Sequence, residues 1–314
     1  MLDNISYQII KALSKDGRYS YTKLAKDLKV KTSTVSNRVN KMLRDDFISI
    51  QAIPNPYKIG YKFQVVIALN VNIKQIDAVC DKLLEDTYIS SIADMFGIFN
   101  ILILAEYPDI EKLYTLVRKK LPNIEGVYEI DMFFISERKK SYDKFFKPES
   151  LIDEPVSIDY IDEQLISDLR KNGRSNLTRL AKKYGISAAS VTRRVAKLIK
   201  NDIIKISVVP NHTKLLGFRA VAYVLINAEP NKVDSICEQL STYPEVHNVI
   251  TLVNRYNIFA VLVLKDHATL YKFITNEISL INGVIKIDTL MRNELRKRTY
   301  VYIDEHQLLN ETNS

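Results

Sequence analysis

The sequence predicts an α+β protein in which a three-helix domain and a domain of strand, helix, strand, strand, helix, strand order each occur twice. The first observation is an internal repeat, because residues 5–55 recur as residues 161–211, a shift of 156 positions. The second is the helical spacing of apolar residues within each repeat. The third is the order of β-prone and helical segments after it. So long a period is that of a domain pair and not of a solenoid unit.

The first domain of each copy is expected to hold three helices. In the first copy they cover residues 4–14, 21–28 and 33–45. Apolar residues of the third helix fall on one face at helical spacing: Val35, Val39, Met42 and Leu43, matched in the second copy by Val191, Val195, Leu198 and Ile199. A β-prone run follows in each copy, residues 47–53 and 203–209, and ends in Pro-Asn. These runs predict the strand and wing of a winged helix-turn-helix domain.

The turn between the second and third helices differs between the copies. Gly185 can take a positive φ where the helix stops, and Ser187 can cap the next helix. The first copy has lysines at both places, Lys29 and Lys31. Its turn therefore has weaker local support, and Thr32 or Ser33 is expected to supply the cap.

The second domain of each copy predicts a ferredoxin-like βαββαβ sandwich. Expected strands in the first copy are residues 64–71, 89–95, 101–105 and 127–135, with helices at 76–84 and 110–121. In the second copy they are 221–227, 246–253, 258–264 and 284–291, with helices at 233–240 and 268–278. We divide the chain into a winged helix-turn-helix domain at 1–55, an α+β domain at 56–136, a polar linker at 137–157, the second winged helix-turn-helix domain at 158–211, the second α+β domain at 212–303 and a polar tail at 304–314.

Charge is concentrated in the repeated segments. The net charge of +8 over 314 residues divides into +5 for residues 1–53, −3 for 54–157, +6 for 158–210 and 0 for 211–314. Positive charge confined to both repeats favours a polyanion as their partner. No apolar run is long enough to span a bilayer and the N-terminus lacks a signal-peptide pattern, so we expect a cytoplasmic protein without a membrane partner.

Signatures of enzymes are missing from the sequence. With 8 glycines it has no Gly-rich phosphate loop, no closely spaced Cys/His cluster for a metal and no nucleophile elbow. We therefore expect no catalytic residues, no metal and no cofactor. Cys80 and Cys237 occupy equivalent places in the two copies; a disulfide between them stays open, although buried thiols in reducing compartments commonly act as small apolar side chains.

The order of motifs resembles that of the Lrp/AsnC, or feast/famine, transcription regulators. Each copy has Leu-Asp or Ile-Asp before the first helix, Gly-Arg after it, Leu-Ala-Lys in the second helix, Arg-Val in the third, then Pro-Asn and a later Ile-Gly or Leu-Gly. The resemblance covers nearly the whole chain twice and implies a DNA-binding regulator. Family members usually carry one copy and dimerise through the α+β domain. This chain is thus expected to be a fused pseudo-dimer; pairing within or between chains, and further homo-oligomerisation, stay open.

A DNA-reading surface is expected on the third helices, opposite their apolar face. In the first copy that side carries Ser33, Thr34, Asn37, Lys41 and Arg44, and in the second Ala189, Ser190, Arg193, Lys197 and Lys200; Arg38 and Arg194 lie on the flank, where we expect phosphate contacts. A merely solvated face is the alternative, and the confinement of charge to both repeats favours double-stranded DNA. Since Asn37 suits adenine and Arg193 suits guanine, the two half-sites are expected to differ.

Effectors of the family, often amino acids, bind near the turn between the second and third strands of the α+β domain, where a Gly-x-x-Asp pattern is common. The resemblance therefore points to Gly97 and Asn100 in the first copy and to Asn254 and Asn257 in the second. Asn replaces Asp in both, and an amide cannot pair with an ammonium group as a carboxylate does. An amino-acid effector is accordingly doubtful and the effector is unknown, while support of a tight turn is the alternative role for these residues.

Two other classes of function stay open. Siroheme decarboxylases resemble the same regulators in fold, and residues 246–248 and 256–257 are faintly similar to theirs. Their chemistry needs His and Arg around a tetrapyrrole, whereas the histidines here, His212, His247, His267 and His306, have no counterpart in the first copy. The other class is an interaction scaffold without DNA binding.

Overall fold

The computed structural model describes residues 3–141, 157–211, 214 and 220–297. These residues form two compact units, one made of residues 3–60 with 157–211 and 214, the other of 61–141 with 220–297. Each unit thus combines equivalent parts of the two copies. Parts of the predicted division lie outside the described residues: residues 1–2, linker residues 142–156, residues 212–213 and 215–219 at the start of the second α+β domain, its end at 298–303, and the tail.

The helices, in chain order, are α1 (Asn4–Lys15), α2 (Tyr21–Asp27), α3 (Thr32–Arg44), α4 (Pro56–Ile59), α5 (Ile76–Leu84), α6 (Ile110–Tyr114), α7 (Tyr160–Lys171), α8 (Leu177–Tyr184), α9 (Ala188–Lys200), α10 (Val233–Thr242) and α11 (His267–Asn276). The strands are β1 (Ile48–Pro54), β2 (Phe63–Val71), β3 (Ile89–Phe96), β4 (Ile101–Tyr107), β5 (Val127–Ser141), β6 (Ile204–Pro210), β7 (Ala220–Ala228), β8 (Val246–Val253), β9 (Ile258–Leu264) and β10 (Val284–Lys297). The predicted α+β fold class is confirmed.

The first unit holds the two helix-turn-helix domains, each with a small apolar core. Ile9, Leu13, Leu24, Val35 and Val39 are buried in the first copy. Equivalent side chains form the core of the second copy: Leu165, Leu169, Leu180, Val191 and Val195. This core fixes which side of α3 and α9 faces outward.

The turn before the third helix is built differently in the two copies. Gly185 has φ 67°, and the Ser187 hydroxyl accepts a hydrogen bond from the Ser190 N–H at 3.1 Å, as predicted. In the first copy Lys29 has φ 55°, a left-handed conformation that is unfavourable for a residue with a Cβ. Lys31 stands at the N-cap and makes no side-chain cap hydrogen bond. The predicted cap at Thr32 or Ser33 is wrong, because the helix already begins at Thr32.

The β-strand after each helix-turn-helix pairs with the strand of the other copy. β1 and β6 run antiparallel from Ile48 opposite Pro210 to Pro54 opposite Ile204. The sequence predicted a strand at each of these places but not its partner, which belongs to the other copy. Each domain has a single β-prone run, so the backbone groups of that run need a partner from outside the domain.

The second unit is a sheet that closes on itself in the order β10, β3, β4, β2, β5, β8, β9, β7. β5 of the first copy pairs with β8 of the second, and β10 pairs with β3. Both last strands are therefore longer than predicted, and residues 137–141, predicted as linker, form strand because they pair with β8.

Separate apolar clusters lie on the two sides of this closed sheet. The helices cover its outer face, whereas its interior is filled by side chains from both copies, among them Phe99, Phe133, Tyr256 and Phe259. Cys80 and Cys237 are buried free thiols whose burial raises the pKa of each to about 12. Across the described ranges no helix has the length and apolar character needed to cross a membrane.

We expect the variant Lys29→Gly/Lys31→Ser, which copies the turn of the second copy, to stabilise the protein by about 1 kcal/mol. Most of this gain comes from the restored cap, since relief of left-handed strain is partly offset by the entropy of glycine. The midpoint of urea unfolding of the full chain measures the change. Lys29→Gly/Lys31→Ala, which lacks the accepting hydroxyl, is the control, and equal midpoints for the two variants would contradict the prediction.

Candidate nucleic-acid interface

The outer faces of α3 and α9 carry the predicted reading residues. Apolar side chains hold the inner faces on the domain cores: Val35, Val39 and Met42 in α3, and Val191, Val195 and Leu198 in α9. Opposite them, exposed residues are Ser33, Asn37, Lys41 and Arg44, and Ala189, Arg193, Lys197 and Lys200, with Thr34 and Ser190 half-buried. The two helices thus present polar faces that match the predicted ones.

Most of the exposed polar side chains on these faces are uncommitted. Among the described residues, the side chains of Asn37, Lys41, Arg193, Lys197 and Lys200 make no hydrogen bond or ion pair. Arg44 differs, because its Nε donates to the neighbouring Asp45 at 3.1 Å, an exposed pair of little energetic weight. Donors without a protein partner are available to base edges and phosphates.

Arg38 and Arg194 are committed within their own domains. Arg38 Nη1 donates to Asp3 Oδ1 at 2.6 Å and to Ser6 Oγ at 2.9 Å. Arg194 Nη1 donates to Asp159 Oδ2 at 2.7 Å and to Asp162 Oδ1 at 2.9 Å. These bonds tie the third helix to the start of the first, and the phosphate contacts of the two arginines stay a prediction.

The carboxylates at these positions also cap the first helices. Asp3 accepts from the Ser6 N–H at 2.9 Å, and Asp159 accepts from the Asp162 N–H at 2.9 Å. That backbone N–H holds the pKa of Asp159 below its ordinary 3.8; partial burial opposes this, and the Arg194 guanidinium lowers the pKa further. The pKa of Asp3 is lowered in the same way, first by the Ser6 N–H and also by Arg38.

The predicted effector turns are occupied by structural contacts. Asn100 Oδ1 accepts from the Val71 N–H at 2.8 Å and its Nδ2 donates to the Val71 carbonyl at 3.0 Å. Asn257 makes the same pair of bonds with Ala228, at 2.9 and 2.7 Å. A carboxylate has no donor for the second bond, which explains the amide at both places.

The other two candidates in these turns also contact strands. Gly97 has φ 150°, and a Cβ there would lie 2.7 Å from Leu290 Cδ2 and 3.0 Å from the Thr289 carbonyl oxygen. Asn254 Nδ2 donates to the Met132 carbonyl at 3.1 Å. Each turn therefore packs on the last strand of the other copy, contacts that fit the alternative role of turn support.

Sequence reasoning missed two arginines, Arg18 and Arg174. Both follow the first helix, and both donate to backbone carbonyls of the opposite copy. Their recurrence in both repeats was the available signal, but a repeated arginine says nothing about which copy it contacts.

Comparison with known proteins agrees with this architecture. A family model for an AsnC-type helix-turn-helix domain matches residues 2–43, one for a winged helix-turn-helix DNA-binding domain matches 158–205, and one for the Lrp/AsnC ligand binding domain matches 221–301. An uncharacterized HTH-type transcriptional regulator of Pyrococcus furiosus is 33% identical over 141 residues, covering 45% of this chain and 95% of that protein. The chain belongs to the Lrp/AsnC family.

Relatives of this Lrp/AsnC protein correspond to one copy of the repeat in length. The HTH-type transcriptional regulator LrpA of Pyrococcus horikoshii is 31% identical over 130 residues. The matched region is 41% of this chain and 92% of LrpA. The crystal structure of the siroheme decarboxylase NirDL matches 99% of this chain and 97% of its own, with a TM-score of 0.64 and 15% identity. At that identity the likeness is one of fold.

We expect Arg194→Ala to lower the melting temperature at pH 7, and this difference to shrink as the pH falls below about 3.8. A carboxylate whose folded pKa is depressed stabilises the fold above its ordinary pKa and loses that contribution as it protonates. Thermal unfolding at pH 7, 5 and 3 measures the effect. The control is Arg179→Ala, an exposed arginine whose side chain has no ion pair among the described residues. A difference between wild type and Arg194→Ala that is independent of pH would contradict the prediction.

Proposed function

We propose that the chain is a double-stranded DNA-binding transcription regulator whose two helix-turn-helix domains read unequal half-sites in the major groove. The observation that carries the proposal is the pair of exposed helix faces with uncommitted donors. An α-helix fits the major groove, where base edges present distinct patterns of donors and acceptors. Membership of the Lrp/AsnC family and the excess positive charge of both repeats support the same function.

The two faces differ at the equivalent positions Asn37 and Arg193. Asn37 offers one donor and one acceptor, which suits the N6 and N7 edge of adenine. Arg193 offers two parallel donors, which suits O6 and N7 of guanine. Ser33 of the first face is replaced by Ala189 in the second, whose methyl group suits the methyl of thymine. One chain therefore carries two reading surfaces of different preference.

Other residues of the faces supply affinity without sequence preference. Lys41 and Lys197 are equivalent lysines, and Arg44 and Lys200 are equivalent cations at the ends of the helices. Flexible cations at such places bind phosphates and release counterions from the DNA. Binding is accordingly expected to weaken steeply with salt.

We also propose that the protein acts without catalysis and that any effector binds away from the turn amides. Asn100 and Asn257 each spend their donor and acceptor on backbone groups, so a ligand at either amide would have to break two hydrogen bonds. The likeness to NirDL is one of fold and supports no reaction for this chain.

Selection of binding sites from random double-stranded DNA tests the proposal. We expect the full chain to enrich two half-sites that differ in sequence, one of them with guanine at the position that Arg193 contacts. Recovery of a perfect palindrome would contradict unequal reading. A chain that retains no DNA at low salt but gains visible absorbance on incubation with an iron porphyrin would support the decarboxylase-like alternative instead.

We expect Arg193→Ala to reduce discrimination at the guanine position of one half-site by about 1–3 kcal/mol, because a bidentate base contact is lost. Lys200→Ala should instead weaken binding to all sequences about equally and reduce the salt slope by about 1. Titration of the selected operator and of a variant changed at that guanine, at two salt concentrations, separates the two effects. Uniform weakening by Arg193→Ala, with discrimination at the guanine unchanged, would show that Arg193 contacts phosphate only.

A further inference from the structure

The two helix-turn-helix domains meet where a Gly-Arg turn follows the first helix of each copy. The Gly17 N–H donates to the Ile206 carbonyl on β6 at 2.7 Å, and the Gly173 N–H donates to the Ile50 carbonyl on β1 at 2.7 Å. Both glycines are buried. Each turn therefore docks on the strand of the opposite copy.

Neither glycine leaves room for a side chain. A Cβ on Gly17 would lie 2.9 Å from the carbonyl carbon of Ile206, and one on Gly173 would lie 3.0 Å from the carbonyl carbon of Gln51. Because these neighbours are backbone atoms of β6 and β1, no rotamer change could relieve the clash. The close approach of turn and strand thus requires glycine.

The arginine after each glycine reaches across to the other turn. Arg18 donates to the Gly173 carbonyl at 2.8 Å and to the Ser175 carbonyl at 3.3 Å. Arg174 donates to the carbonyls of Gly17 at 2.8 Å and Tyr19 at 3.3 Å. The Arg174 guanidinium also lies 4.1 Å from the centre of the Tyr21 ring. We call this reciprocal arrangement of Gly17, Arg18, Gly173 and Arg174 the Gly-Arg clamp.

Contacts within each copy connect the Gly-Arg clamp to the reading helix. The clamp lies at the C-terminal end of α1 and α7, whereas Arg38 and Arg194 bind the third helices to the N-terminal ends of α1 and α7. The β1–β6 ladder joins the copies too, but a two-stranded ladder is marginally stable by itself. The clamp closes the pairing on both flanks of that ladder.

We propose that Arg18 and Arg174 are positioning residues which hold the two reading helices at one separation and one rotation, and so set the half-site spacing that the protein accepts. This inference rests on the proposed function. One base pair more between the half-sites moves them apart by about 3.4 Å and rotates one against the other by about a tenth of a turn. A rigid pair of helices cannot follow such changes, whereas a loosely joined pair can.

A series of operators tests the proposal with the full chain. The two half-sites recovered by selection are kept, and the spacing between them is changed by one to five base pairs. Wild type should bind one spacing best and lose about tenfold or more in affinity when two base pairs are added, because one helix-turn-helix domain loses its base contacts. Arg18→Lys/Arg174→Lys should bind the best spacing within about threefold of wild type but show a flattened spacing profile. Lysine keeps the charge, and its ammonium lacks the planar fork that bridges two carbonyls.

A charge control comes from the equivalent exposed residues two positions before each glycine. Lys15→Gln/Lys171→Gln removes two positive charges and no bond of the Gly-Arg clamp. It should weaken binding at all spacings equally and leave the profile as steep as in wild type. Circular dichroism should match wild type in all variants, and affinity for a single half-site should match wild type in Arg18→Lys/Arg174→Lys; both confirm that the helix-turn-helix domains are folded.

A second route loosens the clamp without touching an arginine. Gly17→Ala/Gly173→Ala pushes each turn off its strand and should flatten the spacing profile as the lysine variant does. An unchanged steep profile in the lysine variant would overturn the inference, whatever the alanine variant does. If wild type binds no DNA fragment even at low salt, the proposed function itself fails, which is a different result from binding with an unaltered profile.

Discussion

Backbone hydrogen bonding between the two copies is the interaction on which the rest of the structure depends. β1 finds its partner in β6, β5 in β8, and β10 in β3. Peptide groups in a buried or half-buried strand need partners. A single copy leaves β1 or β6 without any, and it leaves the outer edge of β3 or β8 and the end of β5 or β10 unpaired. Both units therefore form through strand pairs between the two copies. The glycine that a turn requires and the length of the last strands in the α+β domains follow from this pairing.

Pairing of unlike copies has allowed the contacts across the closed sheet to diverge. At the β10–β3 junction Arg296 binds the buried Asp94, with Nη2 to Oδ2 at 2.7 Å. At the equivalent β5–β8 junction Thr251 stands in place of Asp94, and its hydroxyl lies 2.7 Å from that of Ser136. A buried carboxylate without its cation is strongly destabilising, so Asp94 depends on an arginine that only the second copy supplies.

A second asymmetry lies inside the sheet. The first copy places Arg138 near Glu106 and Gln64, with the guanidinium 3.6 Å from the Glu106 carboxylate and 3.1 Å from the Gln64 carbonyl oxygen. Equivalent positions of the second copy are apolar: Val221, Val263 and Leu295. A buried ion pair adds little net stability over an apolar set but fixes which surfaces fit together. The two α+β domains are accordingly complementary and no longer interchangeable.

The sequence predicted the features that depend on neighbouring residues, and it did not predict the contacts that each copy makes with the other. Periodicity located α5 and β8 to the residue, and the Gly185 and Ser187 turn followed from chemistry that acts within a few residues. The pairing of β1 with β6, the linker start at 137 and the role of Arg18 were missed because each depends on a partner more than a hundred positions away. Arg38 and Arg194 were placed on the correct flank, but their carboxylate partners belong to another helix, which a single-helix projection leaves out.

The contacts of each repeated residue explain whether it differs between the two copies. Val35 and Val39 serve a core, Arg38 serves its own domain, and Gly17 and Arg18 serve the other copy; all of them recur at equivalent positions. Asn37 contacts neither a core nor the other copy, and its equivalent in the second copy is Arg193. In a homodimer one substitution alters both reading faces at once, so half-sites change together. In a single chain, the contacts between the copies constrain only the residues that make them. The outward face of each third helix can therefore change without a change in the other.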